Sequence, residues 1–323
     1  MGPAPPSQAR RGSVTLTRAL RLQHLRLKPQ TDTPIRPQLM GTDRMYRALK
    51  TTAKKSVPNS ALALLNEGIV YFNRLRTESP FAGEGPDLLV HCCHHRSGTV
   101  WFTRVLSTVA RQYGLHFQAG QQGDLEPSTE IFFQDHSRID RSALPSHRGS
   151  HMIRDPRDMV VSGYHYHLWT EEQWARVPRD EYDGKSFQEA LNDVDEKRGL
   201  ILEMERFCRE DLQDMLRWDY DDPAFLELRY EDVIADEAAH FEALFEHYGF
   251  HEDAVEAGLE VAAYYSFQNV SGRGFGDVEE QSHLRSGRTS QWEDHFDPEL
   301  KERFKELAGD ALVHLGYEED NNW

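Results

Sequence analysis

Two short clusters of guanidinium, hydroxyl and glycine residues have the types and spacing of oxyanion sites. The first is His95-Arg96-Ser97-Gly98-Thr99-Val100-Trp101. It follows the apolar run 88–92 and precedes Trp101, Phe102, Val105, Leu106 and Val109, which share one face of a helix. A strand, a Ser-Gly-Thr loop and a helix start together aim backbone N–H groups and hydroxyls at an anion. Gly98 lets the backbone approach closely. Arg96 adds a fixed charge and a planar fork for phosphate or sulfate oxygens. No Gly-x-x-x-x-Gly-Lys-Ser/Thr sequence is present, so this is not a Walker loop. Taken alone, the segment reads equally as a phosphate-binding loop or as a structural turn.

The second cluster is Arg154-Asp155-Pro156-Arg157-Asp158-Met159-Val160-Val161-Ser162-Gly163-Tyr164-His165. It repeats the design of a strand end carrying Arg, a tight turn and a helix start. Arg154 and Ser162 can meet one phosphate from two sides. Arg157 and Asp158 also read as surface pairs and a helix cap, and for Asp158 that plainer reading is adopted. A third cluster, His91-Cys92-Cys93-His94-His95, has a metal-like composition but poor spacing. Zinc ligand pairs are usually two or more residues apart, and neighbours on a strand point to opposite faces. It reads as a strand end entering a loop. His165 and His167 read as structural or as pocket wall, and no metal is expected.

These clusters need a scaffold. The 323 residues suffice for one large α/β domain or two small ones. Strands are expected at 88–92, 150–153 and 225–229, with helices between them, which argues for a parallel sheet covered on both faces. Helices are expected at 43–50, 60–76 and 157–167. One long amphipathic helix should run through Ile201, Met204, Cys208, Leu212 and Met215. Another, with Phe241, Leu244, Phe245 and Tyr248, should stop at Gly249. A last helix should start at Asp297-Pro298 and end by Gly316.

Charge is divided unevenly. Residues 1–76 carry a balance of +11 and the rest −28, for a net −17. An acidic body repels nucleic acid and anionic membrane, which argues against a nucleic-acid binder. Residues 1–40 form a basic segment, read as a flexible tail, as a targeting peptide, or as a helix with Leu16, Leu20 and Leu27 making peripheral membrane contact. Residues 41–85 are expected to be a helical extension and 86–323 the main domain. No apolar run approaches the roughly 20 residues of a membrane span. Three cysteines, two of them adjacent, give no disulfide framework and point to a reducing compartment. A soluble, cytoplasmic protein is the expectation, with organelle targeting open.

The two anion clusters resemble the PAPS-binding elements of the sulfotransferase superfamily. The first is similar to its 5′-phosphosulfate loop, Pro-Lys-Ser-Gly-Thr-Thr-Trp. The second resembles its 3′-phosphate motif, Arg-(Asn/Asp)-Pro-(Lys/Arg)-Asp-x-x-x-Ser-x-Tyr-His. Leu228-Arg229-Tyr230-Glu231-Asp232, Tyr265-Ser266-Phe267 and Arg285-Ser286-Gly287, followed by Trp292, His295 and Phe296, resemble further family segments in the family's order. The resemblance covers roughly residues 87–316, about three quarters of the chain.

The resemblance implies an α/β three-layer sandwich with a central parallel sheet and a P-loop-like phosphosulfate-binding loop. It implies PAPS as co-substrate and sulfuryl transfer to a hydroxyl or amine. Arg96, Ser97, Gly98, Thr99 and Val100 would cradle the 5′-phosphosulfate. Trp101, Tyr230 and Phe267 would lie near the adenine. Arg154, Ser162 and Arg285 would bind the 3′-phosphate, with Ser286 and Gly287 nearby. Many members place a catalytic His between the two phosphate motifs, where this chain has Phe133-Gln134-Asp135-His136. His136 is thus the expected base, with Arg96 stabilising the leaving group. Glu130 is the competitor, because some carbohydrate-directed relatives use a carboxylate. This chain has Arg96 at the usual Lys position and Val100 at a usual Thr position, and Arg cannot mimic a compact ammonium. The acceptor, whether small molecule, lipid or carbohydrate, is not specified, though Trp169, Trp174 and Tyr182 fall where a covering loop could form. A P-loop kinase and a non-catalytic nucleotide-binding module are the alternatives.

Overall fold

The computed structural model describes residues 59–323 apart from 275, 280, 283 and 284, with side chains from residue 66 onward. The basic segment 1–40 and the expected helix 43–50 lie outside the described residues. The elements run α1 Asn59–Arg74, β1 Leu88–Cys93, α2 Thr99–Tyr113, β2 Phe117–Ala119, β3 Ile131–Gln134, β4 His147–Ile153 and α3 Pro156–His167. They continue with α4 Phe187–Asn192, α5 Glu196–Arg209, α6 Asp211–Arg217, β5 Phe225–Arg229, α7 Tyr230–Ala235, α8 Glu237–His247 and α9 Glu252–Tyr264. The chain closes with α10 Phe267–Ser271, α11 Trp292–His295, α12 Pro298–Ala308 and α13 Ala311–His314.

The five strands form one sheet in the order β2-β3-β1-β4-β5, with every pairing parallel. Alternation along β1 explains the layers. Leu89 and Cys93 join Trp101, Phe102 and Val105 of α2, and helices α8 and α9, on one face. Leu88, Val90 and Cys92 pack with Phe132 and Trp218 on the other. A further apolar cluster joins α3, α5 and α12 through Val160, Met204 and Phe304. The α1 helix docks on α2, where Asn73 Nδ2 donates to Arg111 O at 2.5 Å and Arg74 Nε to Gly114 O at 2.9 Å. Among the described residues no helix is long and apolar enough to cross a membrane. All three cysteines are free and buried.

Two expectations about helices need correction. The single amphipathic helix through Met215 is two helices, because the chain breaks at Glu210 (φ −113°, ψ −83°) and turns Asp211 inward onto Arg206 at 2.9 Å. The last helix stops at Gly309 and resumes as α13. Helix α9 and strand β2 have no counterpart among the elements expected from the sequence.

The topology positions the two anion clusters. From β1 the chain turns to β2 and β3 on one side, then returns to β4 on the other. Strands β1 and β4 pair with Cys93 opposite Met152. The loops that follow them are therefore neighbours at the carboxyl end of the sheet, where open parallel sheets hold ligands.

Candidate active site

The loop after β1 is shaped by Ser97. Its buried Oγ donates to His94 O at 2.7 Å and accepts from His94 N at 2.9 Å. Two residues then take left-handed backbone, Arg96 (φ 70°) and Gly98 (φ 98°). Positive φ at a non-glycine is uncommon and gathers at functional sites. A Cβ on Gly98 would stand 2.9 Å from the flexible end of Met152, and the positive φ itself strains any residue but glycine there. Gly98 caps α2 without a side-chain bond to the first turn. The N–H groups there remain directed toward the loop.

A cavity opens above this loop. Its wall includes Arg96, Gly98, Thr99, Val100 and Trp101 from the first cluster, and Arg154 and Ser162 from the second. Tyr230, Phe267, Arg285, Ser286 and Gly287 complete the expected set in the wall. His95, Asp135, Tyr166, Glu172, Ile234, Tyr265 and Gln291 also line it. Ser97 supports the loop from beneath. His136 is not a wall residue. It sits in the turn after β3 with its ring centroid 6.4 Å from that of His95.

The two clusters are bonded to each other. Arg96 Nε donates to Ser162 Oγ at 3.0 Å, and Arg154 Nη1 donates to Arg96 O at 3.1 Å. The Arg96 guanidinium lies 4.6 Å over the Tyr166 ring and that of Arg154 4.5 Å over Tyr230. Burial, then the nearby Arg154, pull the Arg96 pKa down to about 10. Burial would lower Arg154 too, but Asp158, Tyr230 and Glu231 outweigh it and hold it raised. Ser286 Oγ donates to Gln291 Oε1 at 2.9 Å, and Arg285 bonds the same oxygen.

The plain reading of Asp158 as a surface cap is wrong. Asp158 is fully buried, accepts from Arg154 Nη2 at 3.2 Å and accepts from Trp292 N at 3.0 Å. Arg157 is buried as well, bonded to Asp155 and Glu318 and lying 3.9 Å over Trp292. Asp155, not Asp158, caps α3, accepting from Arg157 N at 2.9 Å. Glu130 is at the amino end of β3, paired with Arg74 and accepting from His116 N at 3.1 Å. That is the opposite end of the sheet from the cavity, which removes it as a base.

Histidines and charges are stacked in the wall and behind it. The rings of His136, His95 and His167 form a column, with His95 centroids 6.4 Å from His136 and 5.8 Å from His167. His167 Nδ1 is 2.7 Å from Glu203 Oε2, and His136 Nδ1 is 3.8 Å from Asp211 Oδ1. Arg206 joins the two carboxylates, with Nη2 at 2.7 Å from Glu203 and Nη1 at 2.9 Å from Asp211. Glu172 accepts from Tyr166 Oη at 2.7 Å and Trp174 Nε1 at 2.5 Å. His95 was legible as the first residue of the oxyanion loop and the last of a poor metal pattern, in neither case as a candidate base, and Glu172 carried no sequence signal. Among the described residues, His165, Glu196 and His295 bring ligand-type atoms within 4.8 Å of one another. There the Glu196 carboxylate already pairs with His295 Nδ1 at 2.7 Å.

Fold and site together define an α/β protein with an arginine-rich cavity at the carboxyl end of a parallel sheet. The family model described as "Sulfotransferase domain" matches residues 150–316, just over half of the chain. The chain belongs to the sulfotransferase domain family, whose members are PAPS-dependent enzymes. A mouse sulfotransferase solved in complex with PAP is similar in fold, at 15% identity and TM-score 0.50, with 72% of this chain and 88% of that one covered. A retinol dehydratase solved with retinol and PAP aligns at 15% identity and TM-score 0.43, covering 71% and 82%. No curated protein matches the sequence. The matched segment contains Arg154, Ser162, Tyr230, Phe267 and Arg285, while the loop at 95–101 and His136 precede it.

Proposed function

We propose that the cavity binds PAPS and that the protein moves its sulfuryl group to a hydroxyl or amine of a small acceptor. The product nucleotide would be adenosine 3′,5′-bisphosphate (PAP). The observation that carries this reading is the placement of a half-buried Arg96 and a buried Arg154 in one cavity wall of a protein with net charge −17. Two guanidiniums close enough to lower the Arg96 pKa repel each other, and a bound dianion would relieve that repulsion.

In this reading Arg154, Ser162 and Arg285 hold the 3′-phosphate, with Ser286 and Gly287 beside it. Arg96, Thr99 and the first N–H groups of α2 hold the phosphosulfate, Ser97 setting the turn and Val100 completing the wall. Trp101, Tyr230 and Phe267 supply apolar faces for adenine. The acceptor atom attacks sulfur in line as the S–O bond to the 5′-phosphate breaks. The proton passes to an imidazole of the column formed by His136, His95 and His167. Arg96 and the loop N–H groups stabilise charge on the leaving phosphate, as in other transfers of this kind. Asp135 and Glu172 offer hydrogen-bond acceptors to a polyhydroxyl or amine acceptor. Residues 86–323 would form the catalytic domain, with 41–85 an extension of it.

The experiment is an acceptor screen with sulfur-labelled PAPS on extracts of the source organism, with mass spectrometry of the product. A labelled product that disappears with Arg154→Ala is expected. Transfer only from ATP with magnesium would mean a kinase, and PAP binding with no transfer would mean a binding module.

A further inference from the structure

We infer that His95 is the catalytic residue that touches the acceptor, a role that rests on the sulfuryl-transfer reading above. Of the three stacked imidazoles, His95 alone lines the cavity. It directly precedes Arg96, so a group that contacts it also lies beside the phosphosulfate loop. The flanking rings are differently placed. His167 is fully buried and bound to Glu203, and His136 faces Asp211 at 3.8 Å and Asp135 at 3.9 Å. Each flanking imidazole thus has a carboxylate, and Arg206 fixes both buried carboxylates in place.

His95 has no such partner. Its Nε2 is buried without a hydrogen bond, as are His136 Nδ1 and His167 Nε2. Native structures leave few buried polar atoms unpaired, and those few call for a functional or solvent partner. Burial first, then His167, Arg96, Arg206 and His136, hold the His95 pKa well below its usual value. The ring is therefore neutral and able to accept a proton before PAPS arrives. Bound sulfate and phosphate charge would then favour the imidazolium. In the step itself the acceptor O–H or N–H bond breaks and its proton moves to a His95 nitrogen. The new S–O or S–N bond forms from the freed electron pair, and the bond from sulfur to the 5′-phosphate breaks. His136 and His167 act as positioning residues that clamp the ring from either side.

The test compares the full-length protein with His95→Gln, His95→Phe and His136→Gln. Transfer of labelled sulfuryl from PAPS to water, 2-naphthol and benzylamine is measured beside PAP binding by calorimetry. General-base loss of about 100-fold or more is expected for both His95 variants. PAP affinity should stay within about threefold, a shift of under 1 kcal/mol. His95→Phe keeps an aromatic ring in the stack, so it separates packing from chemistry. Transfer by His95→Phe close to that of the wild type would overturn the assignment. So would a loss confined to His136→Gln, or a wild type that binds PAP and transfers to none of the three acceptors. Loss of PAP binding in the His95 variants would place the residue in the donor cradle instead. A wild type that does not bind PAP at all would refute the donor reading itself.

Discussion

Arg96 Nε donates to Ser162 Oγ at 3.0 Å, which fastens the loop after β1 to the third helix across the sheet. The two residues come from separate clusters, and the parallel pairing of β1 with β4 brings them together. The bond gives Ser162 a structural duty beside its proposed contact with the 3′-phosphate. Ser162→Ala should therefore weaken PAP binding about 10–100-fold, since a hydrogen bond to a charged group contributes roughly 1.5–3 kcal/mol. Titration calorimetry checks this. Unchanged affinity would mean the serine only spaces the helix.

Asp158 ties Arg154 to the backbone of Trp292 in the last third of the chain. Removing its carboxylate leaves a buried guanidinium without its main partner. Asp158→Ala should cost about 3–5 kcal/mol of stability, read by urea unfolding. Asp158→Asn should lose less, because the amide oxygen can still accept from Trp292 N. A surface residue would show under about 0.5 kcal/mol for either change.

Gly98 should tolerate no side chain. Its positive φ is strained for any other residue, and an added Cβ would push the end of the Met152 side chain aside from 2.9 Å. Gly98→Ala is expected to cost about 1–3 kcal/mol and to weaken PAP binding, because the loop must change its backbone angles at this position. Wild-type melting and affinity together would show that the loop has slack.

Stability should fall on mild acidification. Burial lowers the pKa of His91 to about 3 and holds those of His94, His95 and His151 well down. Their unfolded values lie near 6.5, so each contributes stability that is complete above pH 6.5 and lost as pH falls toward the folded value. Glu227, raised to about 8, and Glu237, raised to about 7, both mainly by burial, act in the opposite sense. With His165, lowered to about 4, and Glu231, raised, each mainly by burial, five histidines outweigh three carboxyls below pH 6. Urea unfolding at pH 7.5, 6.5 and 5.5 should show a decline between the last two. A rise there would mean the buried imidazoles are protonated in the folded state.

Much of the site could be read in the sequence, for a physical reason. Arg154, Ser162 and the Gly98 loop lie at strand ends and helix starts, where local chain geometry places them in one cavity wall. The remaining residues depend on contacts that no local pattern encodes. Asp158 looked like a surface residue because its partner Trp292 is far along the chain, and Arg157 likewise meets Glu318. The break at Glu210 serves Asp211 and Arg206, so the apolar spacing through Met215 concealed it. His95 joined a run of His and Cys whose side chains alternate between faces. Only the fold shows that His91 packs on Phe102, His94 on His151 and His95 at the cavity.

The central claim is that the cavity is built for PAPS. Calorimetric titration of the full-length protein with PAP, and separately with ATP and magnesium, tests it most directly. PAP should bind without metal at a Kd of about 1 μM, near −8 kcal/mol, and Arg154→Ala should abolish the signal. Tighter binding of magnesium ATP, or PAP binding that survives Arg154→Ala, would contradict the account.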